Sequence, residues 1–311
     1  MILVTGATNF VGRAVVRRLA DEQLEIRCLI QSSRHQQHLP TGVTFSIFSA
    51  SLADPSALRT AMLGVTAIVH LTREEERPEE RTLEDHVQGT ANLVKAALEA
   101  DVKRFIYVSR IGATPASAYP LFRAKGQSEI EVAESRLDYT TFRSAILYGE
   151  GDAFTTRLVM FAKMFPLLLP IPDVGMVRFQ PLWVEDLARC VVEAIDREDL
   201  VERMVRLGGP EHYTLEQMIR RVLEGAGARR HLMHIPMPLM GSGSALFESL
   251  SVHNPAPRWW LDVAAAGSAT ELGAVPKHFG FEPCQFAHCL NYLRRRRPWR
   301  RDFIRHTLGY R

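Results

Sequence analysis

The first twelve residues, Met1-Ile-Leu-Val-Thr-Gly-Ala-Thr-Asn-Phe-Val-Gly12, constrain this chain more than any other stretch. Ile2 to Val4 is an apolar run too short for a helix. Thr5-Gly6 cuts it, and from Phe10 apolar residues recur at helical spacing through Val11, Ala14, Val15, Val16, Leu19 and Ala20. The pattern predicts a strand, a tight glycine turn and a helix. Such a turn leaves backbone N–H groups at a helix N-terminus, where they and the helix dipole can hold a pyrophosphate. Gly6 lets the backbone turn and approach the ligand, and Gly12 lets the helix lie close on the strand. The usual middle glycine is here Asn9. Asn is expected to tolerate a left-handed conformation, at the cost of narrowing the space for phosphate.

Further strands are expected at Leu24 to Gln31, Val43 to Phe48, Thr66 to Leu71, Phe105 to Ser109 and from Tyr139 to Phe142. Between them lie helices at Ser56 to Met62, at His86 to Ala100 and ending at Ile130 to Arg136. Arg73 to Glu84 is a dense charge run, expected as an exposed loop. Strands alternating with helices at these lengths argue for an α/β protein with a parallel sheet covered on both faces. After Gly149 the alternation fails. Phe154 to Phe165 reads as a helix, Pro166 to Pro172 as a proline-broken loop, Val184 to Ile195 and Leu215 to Gly225 as helices, and Val205 to Leu207 as a late strand. Residues 240–276, with Trp259-Trp260, are the least legible. The reading divides the chain into a core at 1–150, a lobe at 151–293 interleaved with it, and a tail at 294–311.

A second strand that holds a ribose diol usually ends in an acidic residue. Here Ser32-Ser33-Arg34-His35 follows instead, and hydroxyls with a guanidinium suit a 2′-phosphate. NADP(H) is therefore favoured over NAD(H), which stays open.

The net charge of +3 conceals an asymmetry. Residues 294–311 hold eight arginines and one aspartate, a net of +7. The remaining residues carry 30 basic and 34 acidic groups, a net of −4. Arg294 to Arg297 is followed by Trp299, Phe303, Ile304, Leu308 and Tyr310, a mixture suited to an anionic membrane surface or an acidic groove on a partner. No targeting segment is readable ahead of the first strand, and no apolar stretch is long enough to span a bilayer. Cys28, Cys190, Cys284 and Cys289 lack C-x-x-C spacing, and reduced thiols in a cytoplasmic setting are expected.

Thr5-Gly-Ala-Thr-Asn-Phe-Val-Gly12 resembles the glycine fingerprint of atypical extended short-chain dehydrogenase/reductases. Val102-Lys-Arg-Phe-Ile-Tyr-Val-Ser109, Tyr139-Thr-Thr-Phe-Arg143, Tyr148-Gly149, Gln180-Pro-Leu-Trp-Val-Glu-Asp-Leu-Ala188, Leu207-Gly-Gly-Pro-Glu-His-Tyr-Thr-Leu215 and Phe279-Gly-Phe-Glu-Pro283 extend the likeness over residues 1–293. The resembled branch holds NAD(P)H-binding proteins similar to the nucleotide-binding accessory subunit of respiratory complex I, photosystem assembly factors and NmrA-like redox sensors. The resemblance implies a Rossmann-type doubly wound sheet with a smaller C-terminal α/β lobe. It also implies a dinucleotide over Gly6, Thr8, Asn9, Phe10, Val11 and Gly12. Further contacts would come from Arg34, Ser51, Leu52, Leu71, Ser109 and Lys125.

Active members use a Tyr-x-x-x-Lys pair and a Ser at the fifth strand's end. Ser109 and Lys125 match, but the tyrosine position is Leu121, and Tyr119 lies six residues before Lys125. Four residues along a helix share a face and six do not, so Tyr119 is a doubtful or vestigial proton donor. Ser51 stands where relatives often carry Asp, His86 where Asn is usual, and Arg110 where a second small Ser is usual. Together these imply a non-catalytic accessory or assembly subunit of a larger, membrane-associated electron-transfer complex. In this reading the dinucleotide is a structural or redox-sensing ligand, and the protein sits in the cytoplasm against the inner face of a membrane through residues 294–311. The alternative is an active NAD(P)-dependent reductase or epimerase. No metal and no specific nucleic acid are expected.

Overall fold

The computed structural model describes residues 1–72, 80–165, 167–250 and 258–294, with side chains at all of these except 33–35, 80–82, 246–250 and 258–259. The chain divides into two compact units. Unit one holds Met1–Ser144, Val184–Leu207 and Ala274–Phe281, and unit two the remainder.

Unit one is built on seven strands, all parallel. They include β1 (Ile2–Thr5), β2 (Ile26–Ile30), β3 (Ser46–Ser49), β4 (Ala67–Leu71), β5 (Arg104–Arg110) and β6 (Asp138–Ser144). The seventh strand is Arg203–Leu207, and the order across the sheet is Arg203–Leu207, β6, β5, β4, β1, β2, β3. The order reverses at β1, so every loop that leaves a strand's C-terminal end there opens onto one edge, where ligands of such sheets bind. The central strands are buried at every position, as their unbroken apolar runs require. Helices α1 (Phe10–Asp21), α2 (Pro55–Ala61), α3 (Glu80–Glu99) and α4 (Pro120–Ala133) cross between strands. Leu58, Met62, Leu93, Ala97 and Val132 from these connections pack on Leu3, Ile68, Phe105 and Tyr107 of the sheet.

One helix start and two locks follow from the sequence. Asp54 caps α2 by accepting from the N–H groups of Ser56 and Ala57, with Pro55 in the first turn. Arg104 is buried and donates to the carbonyls of Asp138 and Ala194 and to Thr140 Oγ1, tying β5 to β6 and to the helix Val184–Glu193 that precedes Ala194. Arg143 on β6 donates two bonds, of 2.9 and 2.5 Å, to the carboxylate of Glu129 on α4.

Unit two has its own core around Tyr148, Phe179, Met218, Ile219 and Phe286. Helix Phe154–Met164 is held at its start by Asp152, a buried carboxylate. It accepts from the backbone of Gly149, Thr155 and Thr156, from Thr155 Oγ1 and from the Tyr292 hydroxyl. Burial pushes the Asp152 carboxyl above the usual carboxylate range in spite of these bonds. Helix Leu215–Gly225 opens with a capping box between Thr214 and Gln217.

Several expectations need correction. Pro166 to Pro172 is not a loop throughout: Leu168–Asp173 is a strand paired in parallel with His231–Pro236. Its prolines are tolerated because a two-stranded sheet is all edge. The charge run does not continue as loop to Glu84, since α3 begins at Glu80; residues 73–79 lie outside the described part. Cys284 and Cys289, expected as reduced thiols, form a disulfide, their Cα atoms 6.5 Å apart. Cys28 and Cys190 are free and buried, and burial pushes the Cys28 thiol up to about 12. The tail from residue 295 onward lies outside the described residues.

Candidate dinucleotide site

The turn after β1 is held by two glycines. Gly6 has φ +66°, and a Cβ there would overlap the Leu71 carbonyl oxygen. A Cβ at Gly12 would overlap the Gly6 carbonyl oxygen, so α1 lies closer to the turn than any side chain would permit. Asn9 departs from expectation. Its backbone is extended (φ −77°, ψ 173°), not left-handed, and its Oδ1 accepts from the Gly12 N–H at 2.6 Å. It is the N-cap of α1. That leaves the N–H groups of Phe10 and Val11, the first two helical positions, with no carbonyl partner inside the helix. The turn therefore fits a pyrophosphate with one helix donor already used by Asn9. Thr8 offers its carbonyl to Arg13 Nη1 at 2.9 Å.

The other expected residues gather along the same sheet edge. Ser51 and Leu52 follow β3; Ser51 Oγ accepts from the Ala53 N–H, and the Leu52 carbonyl from Asn92 Nδ2 at 2.9 Å. Leu71 ends β4, and Ser109 lies within the last residues of β5. The Ser109 hydroxyl is fully buried, and among the described residues it and the Thr72 hydroxyl meet no hydrogen-bond partner. Buried hydroxyls without partners at a ligand-binding edge are where an absent group's polar atoms belong. Lys125, on α4, donates to the Val108 carbonyl at 3.2 Å, and its ammonium stands 5.7 Å from the Tyr107 ring centroid. The Arg34 side chain lies outside the described part, while its backbone is in the short 3-10 helix Ser33–His38 after β2.

The catalytic positions separate as their spacing foretells. Leu121 is buried one turn before Lys125, inside α4. Tyr119 is the residue before the helix, its ring against Phe122, and Pro120 is the reason the helix starts after it. Arg110 is buried, with its guanidinium carbon 5.9 Å from the Phe122 ring centroid. His86 is half-buried on α3.

Sequence reasoning passed over His70, inside the apolar run of β4. It is buried, bonded through Nδ1 to Thr5 Oγ1 (2.7 Å) and through Nε2 to Thr90 Oγ1 (3.0 Å). The Thr90 hydroxyl donates to the His86 carbonyl, so Nε2 is the donor of the ring. Nδ1 then takes the Thr5 proton, while Thr5 Oγ1 accepts from the Leu71 N–H. Burial, aided by the nearby Lys125 charge, holds the imidazole down to about 3, so it is neutral. The network braces β1 against β4 directly beneath the glycine turn. A histidine within an otherwise apolar strand was the available signal. Among the described residues no cluster of His, Cys, Asp or Glu could hold a metal ion, and no helix is long and apolar enough to cross a membrane.

The NAD(P)H-binding family model matches residues 6–165. The photosystem II assembly factor Ycf39 of Guillardia theta is 23% identical over 308 residues, 94% of this chain and 92% of that protein. The mitochondrial NADH dehydrogenase (ubiquinone) 1 alpha subcomplex subunit 9 of Arabidopsis thaliana is 26% identical over 244 residues, 76% of this chain and 60% of that protein. This chain thus spans less than two thirds of the latter's length. Two solved structures share the fold. The NADPH-dependent quinone oxidoreductase QOR2 of Escherichia coli, complexed with NADPH, has a TM-score of 0.76 at 19% identity, covering 94% of this chain and 99% of its own. The UDP-glucose 4-epimerase of Thermotoga maritima, with UDP-glucose, has a TM-score of 0.73 at 18% identity, covering 97% and 99%.

Proposed function

Because this chain belongs to the NAD(P)H-binding family, we propose that it is an accessory or assembly protein that holds a nicotinamide dinucleotide without turning it over. The observation that carries this reading is Leu121, an apolar side chain one helical turn from Lys125, where proton transfer would need a phenol. General acid–base help is worth about a hundred- to ten-thousand-fold in rate, so its loss leaves little catalysis. The bound dinucleotide would supply hydride chemistry at its nicotinamide ring. The N–H groups of Phe10 and Val11 would hold its pyrophosphate, and Lys125 with Ser109 would serve its nicotinamide ribose. NADP(H) is favoured over NAD(H), because no acidic residue follows β2 in Gln31-Ser-Ser-Arg34.

The names of the relatives support a role inside a larger electron-transfer assembly: one is an assembly factor of photosystem II, the other a subunit of NADH dehydrogenase. Residues 294–311 are the segment proposed to dock there, at a membrane surface facing the cytoplasm. Native mass spectrometry of the purified protein should show one dinucleotide, with the mass of NADP(H). A panel of carbonyl and sugar-nucleotide substrates should show no hydride transfer above background. The retained Ser109 and Lys125 favour one competing reading, a working reductase or epimerase with Tyr119 as proton donor. Robust turnover that disappears in Tyr119→Phe would establish that reading in place of ours.

A further inference from the structure

The cysteines of this chain fall into two kinds. Cys28 on β2 and Cys190 on the helix Val184–Glu193 are free and buried. Burial pushes the Cys28 thiol up to about 12 and the Cys190 thiol well above its ordinary value, so neither forms the thiolate that reacts. Cys284 and Cys289 are bonded to each other and only half-buried. Between them Gln285, Ala287 and His288 are exposed. A thiolate arriving from solvent can reach this bond.

The bond does little of what a structural disulfide does. Such a bond constrains the unfolded chain, and the constraint grows with the loop it closes. Here the partners are five residues apart. The segment is also held without it. Pro283, Phe286, Leu290 and Leu293 are buried, the last three in the core of unit two. The Tyr292 hydroxyl donates to Asp152 Oδ2 at 3.1 Å. The N–H groups of His288 and Cys289 both turn back to the Gln285 carbonyl, at 3.0 and 3.3 Å. With the chain fixed on either side, two thiols released here stay near each other, and so short a ring costs little entropy to close again.

We propose that Cys284 and Cys289 form a reversible dithiol–disulfide site, and that its reaction partner is a dithiol reductant of the thioredoxin class. A thiolate of the reductant attacks one of the two sulfurs, the Cys284–Cys289 bond breaks, and the other cysteine leaves as a thiolate. The reductant's second thiolate then attacks the mixed disulfide and releases the first cysteine. The protein gains two electrons, both cysteine thiolates take protons from water, and the reductant keeps the disulfide. Exposed disulfides are the labile ones, and in a reducing compartment a disulfide is transient. Only the compartment belongs to the cytoplasmic setting proposed above. Exposure and ring size hold without it, and the dinucleotide plays no part.

The test counts accessible thiols in the native full-length protein by alkylation and mass spectrometry. After oxidised glutathione, no cysteine should be labelled. After a thioredoxin-class reductant, Cys284 and Cys289 alone should be labelled, and a return to oxidised glutathione should remove both labels. The urea midpoint should be nearly the same in the two states. A variant of the reductant that keeps only its attacking cysteine should be captured as a mixed disulfide, and capture should vanish when Cys284→Ser and Cys289→Ser are combined. Labelling of the pair after oxidised glutathione would show that no bond forms and overturn the proposal. A bond that yields only in urea would overturn it too, as would a large fall in the urea midpoint on reduction or added labels on Cys28 and Cys190. Each of those results would mark a structural disulfide.

Discussion

At Asn9 one side chain decides how the turn meets an anion. Its Oδ1 takes the Gly12 N–H that a ligand would otherwise use, so the cap stabilises α1 and competes with the pyrophosphate. Replacing an N-cap Asn by Gly costs only a few tenths of a kcal/mol. Asn9→Gly should therefore raise dinucleotide affinity severalfold with little change in melting temperature, read by fluorescence titration and calorimetry. Gly6→Val should abolish binding, because φ +66° and the Leu71 carbonyl leave no room for a side chain. His70 adds a pH dependence. Its folded value near 3 lies below the ordinary 6.5, so the unfolded chain takes up a proton that the folded chain refuses. The stabilisation is complete above pH 6.5 and declines as pH falls toward 3, by about 1.4 kcal/mol per unit. His70→Gln should be less stable at neutral pH yet show a shallower acid slope in urea melts. These three residues also mark the limits of reading a sequence. The glycine spacing announced the turn, but whether Asn9 would turn left-handed or cap depends on the sign of φ, which composition does not carry. His70 looks apolar by its neighbours; the approach of β1 to β4 supplies Thr5, and the packing of α3 supplies Thr90.

Among elements, the pairing of α4 with β6 is the most exposed to a single change. Glu129 is buried and answers Arg143 with both oxygens. Removing one partner of such a pair strands a charge away from water, at about 3–5 kcal/mol. Glu129→Ala should lose that much stability in chemical denaturation, and Glu129→Met with Arg143→Leu should recover most of it. The elements themselves were legible where one period dominated. The first strand and helix, the helix from Phe154 and the helix from Leu215 were placed within about a residue by their apolar spacing. Leu168–Asp173 was not, because its prolines read as breaks when the strand only needs a partner on one side. The cysteine pair was hidden too, since a separation of five matches no motif and the approach of the thiols depends on the turn between them. The candidate site divides the same way. Leu121 beside Lys125 was readable from helix periodicity alone, whereas the bond from the Gly12 N–H to Asn9 Oδ1 depends on the backbone of the turn.

For the whole molecule, the charge contrast between residues 294–311, at net +7, and the remainder, at net −4, predicts where function depends on surroundings. Truncation after Leu293 should leave dinucleotide affinity unchanged. It should also reduce co-sedimentation with anionic vesicles, and raising the salt should weaken the full-length association in the same way. Equal sedimentation of both forms would assign the tail no docking role. The seven-stranded sheet carries one more consequence, for the order in which the molecule is made. Its outermost strand, Arg203–Leu207, pairs with β6 although about sixty residues separate them in the chain. A nascent chain that has only just produced β6 therefore presents an open strand edge until residue 207 has been synthesised, and such edges recruit other chains. The interval from Ala145 to Glu202 is thus a window of vulnerability during translation. Fragments ending within it should aggregate, whereas those ending beyond Phe281 contain every segment of the first unit.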